Sequence, residues 1–189
     1  MDSSSTLLAE HVSPPLERVI GSINQRSQNW HAEQLLKTLG KVVLGSGSFE
    51  AGIEVERAYL RRLGIGADAV YVRDASGLSS GNLVTPHALV TLLQAMLRHR
   101  HGQVFFESLP VAGGEGSLRS RFSNSPAAGA VHAKTGSIQH VNSLSGYLLP
   151  TPSDTLAFAI VANNHGLPGN QAIAAIDSAV SIVTRAYRP

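Results

Sequence analysis

Residues 129–162 read GAVHAKTGSIQHVNSLSGYLLPTPSDTLAFAIVA. Three strands can be picked out of that stretch, over 129–137, 142–149 and 155–162, with PTPSD at 150–154 joining the last two. The final run, LAFAIVA at 156–162, is apolar without alternation, which is how a strand covered on both faces and lying inside a sheet reads. A three-strand meander nevertheless leaves it at an edge, and natural proteins cover a long apolar edge. The expectation is that strands completing this sheet are missing from the chain.

N-terminal to this block the pattern is helical. Ser13 before Pro14 and Pro15 signals a helix start, followed by Leu16, Val19, Ile20 and Ile23 at helical spacing. A second helix is expected over 29–39, with Ala32, Leu35, Leu36 and Leu39 inward and Gly40 as its stop. GSGS at 45–48 leads into a third over 49–63. A β-rich run at 69–72 ends in the polar turn DASGLSSGN at 74–82. Thr85 then caps and Pro86 opens an amphipathic helix carrying Leu89, Leu92, Leu93, Met96 and Leu97. AGGEGS at 112–117 reads as a mobile turn, and a last helix is expected over 170–186.

The chain is thus α/β, of the α+β type, with a helical half at 13–110 and a sheet plus C-terminal helix at 128–187. Its 189 residues suffice for one domain with a real core. A hydrophobic fraction of 43% against 15% charged excludes intrinsic disorder. A net charge of +2 is too small for the many phosphate contacts of nucleic-acid binding. The absence of cysteine excludes disulfides, a thiolate nucleophile and Cys-ligated zinc. No apolar run reaches membrane-span length, and MDSSSTLLAEH has neither the basic nor the apolar region of a signal peptide. His99 and His101 lack accompanying metal ligands and read as surface residues, as do the helically spaced Arg57, Arg61 and Arg62. Trp30 is either a cleft wall or a core residue.

The chemistry begins with Lys134-Thr135-Gly136, at the end of the first strand of the quoted stretch. Ser-x-Asn occurs three times, at Ser22–Asn24, Ser27–Asn29 and Ser80–Asn82. Active-site serine penicillin-binding proteins and β-lactamases combine Ser-x-x-Lys, Ser-x-Asn and Lys-Thr-Gly. Acyl transfer needs a nucleophile with a base, a proton route to the leaving amine, and donors aimed at the developing oxyanion.

Five ordered blocks decide between the Ser-x-Asn candidates. The stretch at 13–40, then GSGSFEAG, DASGLSSGNLVTP, SLPVAGGEGSLRSRF and AGAVHAKTGSIQHVNSLSGYL, resembles the D-alanyl-D-alanine carboxypeptidase/endopeptidase family of class C low-molecular-mass penicillin-binding proteins. The resemblance selects Ser27 and Asn29, which precede the AEQLL helix, and maps an Asp-Gly-Ser-Gly-Leu-Ser signature onto 74–79 with Ala75 in place of a glycine. It implies a partial transpeptidase/β-lactamase-like fold over 1–189, the C-terminal part of a single domain.

The resemblance also implies roles. Ser27 relays protons, Asn29 binds a substrate backbone amide and Lys134 supplies positive potential. Thr135 and the Ser137 hydroxyl hold the substrate carboxylate, Gly136 permits close approach, and the Ser137 N–H forms half of the oxyanion hole. No metal or cofactor is implied. The implied partners are peptidoglycan peptides ending in D-Ala-D-Ala and β-lactams, in a periplasmic or extracellular location. From the residues alone, Ser27 also reads as a helix N-cap and Lys134 as a solvated strand-end lysine.

One family element has no match: no serine in the 189 residues is followed by lysine three positions on. The family carries that motif upstream, on a helix following the first strands of the domain. The expectation is a C-terminal segment, inactive alone, lacking the N-terminal strands and nucleophile helix. The alternative is a non-catalytic muropeptide-binding module or one half of a split enzyme.

Overall fold

The computed structural model describes residues 6–187; the first five residues, on which the reading of the chain's start partly rests, lie outside them. Helix α1 spans Leu16–Arg26, with Pro15 rather than Ser13 at its N-cap position and no side-chain capping bond. Ser27 ends it in the left-handed conformation, at φ 54°. Helix α2, Asn29–Leu44, runs past the expected stop at Gly40 and ends instead at Gly45, whose φ of 78° accommodates the turn and whose N–H bonds to the Lys41 carbonyl. Gly40 is a packing glycine. A Cβ there would lie 2.7 Å from the Gly52 nitrogen of α3, which spans Phe49–Arg62 and is capped by the Ser48 hydroxyl.

Strands β1 (Val70–Tyr71) and β2 (Leu83–Val84) pair antiparallel and hold the 74–82 turn between them. Helix α4, Pro86–Leu97, starts at Thr85, whose hydroxyl accepts from the Ala88 N–H. Helix α5, Gly102–Ser108, was not expected; seven residues are too few for a helical period to declare itself. A 3₁₀ turn at Gly116–Leu118 precedes β3 (Val131–Ile138), β4 (Val141–Thr151), β5 (Asp154–Ala162) and α6 (Gly169–Tyr187).

The main sheet has the order β3-β4-β5, antiparallel throughout, with Lys134 opposite Ser145 and Leu144 opposite Ile160. One face packs on α6. Val131, Ala133, Leu144 and Leu148 join Ile176 and Val180 there, with Leu156, Phe158 and Ile160 of β5 against them. The other face meets α4 and α5 through Tyr147, Leu93, Leu109 and Ala157. Tyr147 is fully buried and donates its hydroxyl to the Leu93 carbonyl at 2.8 Å; burial pushes the phenol pKa up to about 12.

LAFAIVA is therefore apolar because helices cover both its faces. Among the described residues β5 pairs only with β4, so its outer main-chain groups form an edge. In the AGGEGS segment residues 113–117 are exposed, and only its end approaches another element closely. Gly116 has φ 82° and sits so close to α1 that a Cβ would lie 2.8 Å from the Gln25 carbonyl oxygen, while Leu118 is completely buried. An Arg121–Asp177 ion pair ties the segment before β3 to α6. No helix among the described residues is long and apolar enough to cross a membrane.

Candidate active site

Lys134 stands half-buried on β3, on the face turned away from α6. Its Nζ donates to Ser27 Oγ at 2.8 Å and to the Thr135 carbonyl at 2.8 Å. Burial lowers the pKa of this amine from the ordinary lysine value. The contact joins residues 107 apart, the helical half to the sheet. The break between α1 and α2 positions the hydroxyl: one residue in the left-handed region turns the chain sharply, and Ser27 is that residue. Gln28, not Ser27, occupies the N-cap of α2.

Asn29 is the first residue of α2 and half-buried, and its side chain has no hydrogen-bond partner among the described residues. Trp30 beside it is 70% exposed, which excludes the core reading. Thr135 Oγ1 donates to Ser117 Oγ at 3.1 Å, so the turn at Gly116 brings a second hydroxyl to the Lys-Thr-Gly strand. A Cβ at Gly136 would lie 2.5 Å from Ser143 Oγ. The exposed Ser137 accepts from Asn142 Nδ2 at 2.7 Å, and the buried Asn142 Oδ1 lies 2.9 Å from His165 Nε2.

Ser27, Lys134 and Thr135 are thus brought together, with Gly136 and Ser137 next along the same strand and Asn29 two residues beyond Ser27. The other two Ser-x-Asn triplets are used elsewhere. Asn24 Nδ2 donates to Ser108 Oγ at 2.7 Å, fastening α1 to α5. Asn82 donates to Asp74 at 2.9 Å and accepts from the Arg73 N–H at 2.7 Å. Ser117, Asn142 and His165 were missed in the sequence. Asn142 was within reach of it, because a two-residue turn at Gln139–His140 places position 142 opposite Ser137.

The 74–82 turn is held by carboxylates. Asp74 accepts from the Gly77 N–H at 2.7 Å and the Ser79 N–H at 2.8 Å. Burial opposes its charge, but bonds from Asn82, Ser79 and Gly77 outweigh it and lower the carboxyl pKa below the ordinary value. Glu33, one turn after Asn29, accepts from the Ser76 N–H at 2.9 Å and the Ala75 N–H at 3.3 Å, clamping the turn to α2. His99 and His101 are exposed, with ring centroids 5.6 Å apart. No group of three or more His, Asp or Glu side chains among the described residues could hold a metal ion.

The site combines a cation of lowered pKa, hydroxyls within proton-transfer distance and a strand bare at one position. An antiparallel sheet presenting Lys-Thr-Gly to a Ser-x-Asn turn of a helical layer has the fold of the penicillin-binding proteins and β-lactamases. Penicillin binding protein 4 (dacB) of Haemophilus influenzae, solved with a β-lactam, matches at a TM-score of 0.81 and 24% identity, over 95% of this chain and 43% of that one. A β-lactamase of Sphaerobacter thermophilus matches at 0.66 and 21% identity, over 96% and 68%.

The chain belongs to the D-Ala-D-Ala carboxypeptidase 3 (S13) family, whose pattern matches residues 1–186. It is 38% identical over 172 residues to the D-alanyl-D-alanine carboxypeptidase of Actinomadura sp. (strain R39), covering 88% of this chain and 32% of that protein. The chain thus spans about a third of the length of the curated relatives it matches.

Proposed function

We propose that this chain forms one wall of the active site of a serine-type D-Ala-D-Ala carboxypeptidase or endopeptidase acting on peptidoglycan stem peptides in the cell envelope. The observation that carries the reading is the 2.8 Å contact between Lys134 Nζ and Ser27 Oγ. A desolvated lysine against a hydroxyl is a proton relay, and the same ammonium offers positive potential to a substrate carboxylate. Thr135 and the Ser137 hydroxyl hold that carboxylate, Asn29 takes a substrate amide, and the Ser137 N–H faces the oxyanion. Gly136 leaves the strand open to close approach.

The attacking serine is proposed to come from polypeptide outside these 189 residues, which contain no Ser-x-x-Lys. Residues 1–189 would then be the C-terminal part of one transpeptidase-like domain, and the edge of β5 would pair with a strand of the remainder. In acylation the serine oxygen bonds to the penultimate carbonyl carbon, the bond to the terminal D-alanine nitrogen breaks, and Ser27 passes the proton to that nitrogen. Water then cleaves the ester. β-Lactams acylate the same serine.

Fluorescent penicillin tests this. The 189-residue chain alone should take no covalent label, whereas co-expression with an N-terminal fragment carrying Ser-x-x-Lys should give labelling and D-alanine release, both lost in Lys134→Ala. Labelling of the chain alone would overturn the assignment of the nucleophile. The missing motif also favours a second reading, a non-catalytic muropeptide-binding module; saturable peptide binding without D-alanine release in the co-expressed pair would select it.

A further inference from the structure

A line of hydrogen-bonded side chains runs from the Ser137 hydroxyl into the loop between β5 and α6. Asn142 of β4, opposite Ser137 in the sheet, is buried and donates its Nδ2 to Ser137 Oγ at 2.7 Å. Its Oδ1 lies 2.9 Å from Nε2 of the half-buried His165, whose Nδ1 lies 3.1 Å from the Leu167 carbonyl oxygen. The loop is docked on the turn between β3 and β4. There the His165 N–H donates to the His140 carbonyl at 3.2 Å, and His140 Nδ1 lies 3.2 Å from the His165 carbonyl oxygen.

Both ring nitrogens of His165 thus face oxygens. A carbonyl only accepts, and Asn142 has committed its nitrogen to Ser137, so the doubly protonated imidazolium alone fills both contacts at once. A neutral ring has a single N–H. With the proton on Nε2, the Nδ1 lone pair faces the Leu167 carbonyl and a bond is lost. With the proton on Nδ1, the Asn142 amide can turn over, so that its Nδ2 donates to His165 Nε2 and its Oδ1 accepts the Ser137 O–H. This second arrangement keeps every bond, which favours it over the first.

The consequence falls on Ser137, whose hydroxyl has one proton to give. While His165 is charged, Asn142 donates to Ser137 Oγ and leaves that proton for an anion in the cleft. Once His165 is neutral, the proton is bound to Asn142 and a lone pair turns outward. Other charges around the ring are few. Among the described residues no carboxylate stands within ion-pair distance of His165, and the first turn of α6 carries no acid. The titratable groups flanking the relay are His140 in the turn and Lys134, three residues before Ser137 on β3.

We propose that His165 is a positioning residue: acting through Asn142, its charge decides whether Ser137 presents a proton or a lone pair to the cleft. That the anion met there is the terminal carboxylate of a D-Ala-D-Ala peptide rests on the function proposed above; the relay itself does not.

Heteronuclear NMR on the full 189-residue chain, at about pH 5 and about pH 8, reads the relay directly. At the lower pH His165 should be an imidazolium, with NOEs from the Asn142 amide protons to the Ser137 β-protons. At the higher pH it should be the Nδ1–H tautomer, with those NOEs moved to the His165 ring. An Nε2–H tautomer, or an Asn142 amide directed at Ser137 at both pH values, would overturn the relay without reliance on any variant. Titration calorimetry with N-acetylated Lys-D-Ala-D-Ala then reads the consequence. Binding should be about tenfold tighter at the lower pH in the wild-type chain and equal at the two in H165Q, whose amide does not titrate. A pH preference that survives H165Q belongs to Lys134 or His140 and would overturn the assignment, as would equal wild-type affinities. If the NMR signature appears and the peptide does not bind at either pH, the relay stands and the carboxylate role given to Ser137 above falls.

Discussion

Ser27 does two separable things: its hydroxyl receives Lys134, and its backbone occupies the left-handed region at φ 54°. A side chain there costs about 1 kcal/mol relative to glycine. Ser27→Gly should therefore unfold in urea at a midpoint no lower than the wild-type chain, and Ser27→Ala about 1 kcal/mol below the glycine variant, although both delete the same hydroxyl. A glycine variant clearly less stable than the alanine one would mean that the backbone is not under strain at this position. Asp74 makes a pH-dependent contribution. Its pKa is lower in the fold than in the unfolded chain, so its stabilisation is present above the unfolded value and is lost as pH falls through the folded one. Asp74→Asn should destabilise the chain at neutral pH, with the gap to wild type closing in acid; a gap independent of pH would show that charge is not what the turn uses. Ser27 could be separated from the other two Ser-x-Asn serines only through the blocks around it. Its partner, 107 residues away, was visible as a motif and not as a contact.

The starts of α2, α3 and α4 were legible at Asn29, Phe49 and Pro86, and for α4 the mark was local, the Thr85 hydroxyl that caps it. Gly40 misled because glycine marks both a helix end and a close helix crossing, and only the position of α3 distinguishes them. Replacing Gly52, whose Cβ would collide with the Leu36 carbonyl, should cost about 2 kcal/mol as Gly52→Ala by forcing α2 and α3 apart. Gly45→Ala, with open space around it and φ 78°, should cost only about 1 kcal/mol. Equal urea midpoints for the two variants would contradict the tight crossing. In β5, the uniform apolar run signalled two covered faces, and the three-strand meander placed it at the edge of the strands in this chain, as it is among the described residues. Ser117, Asn142 and His165 escaped notice for a related reason: each owes its role to a partner set by register or packing, and none stands in a motif.

At the scale of the molecule, the sheet is sealed above and below by helices while one flank of it, along β5, has unpaired main-chain groups among the described residues. Edges of this length and composition invite pairing. The chain alone should therefore show concentration-dependent association by light scattering, suppressed when an N-terminal fragment is co-expressed; a monomer at every concentration would show that the flank is protected. The site depends on the same assembly, because Lys134 and Ser27 belong to opposite halves and meet only when sheet and helical layer are docked.

Main-chain amides and carbonyls carry no address, so that flank distinguishes suitors by length, stagger and abundance rather than by identity. Whichever strand is held beside it at the highest local concentration, in the same chain or another, would then occupy it.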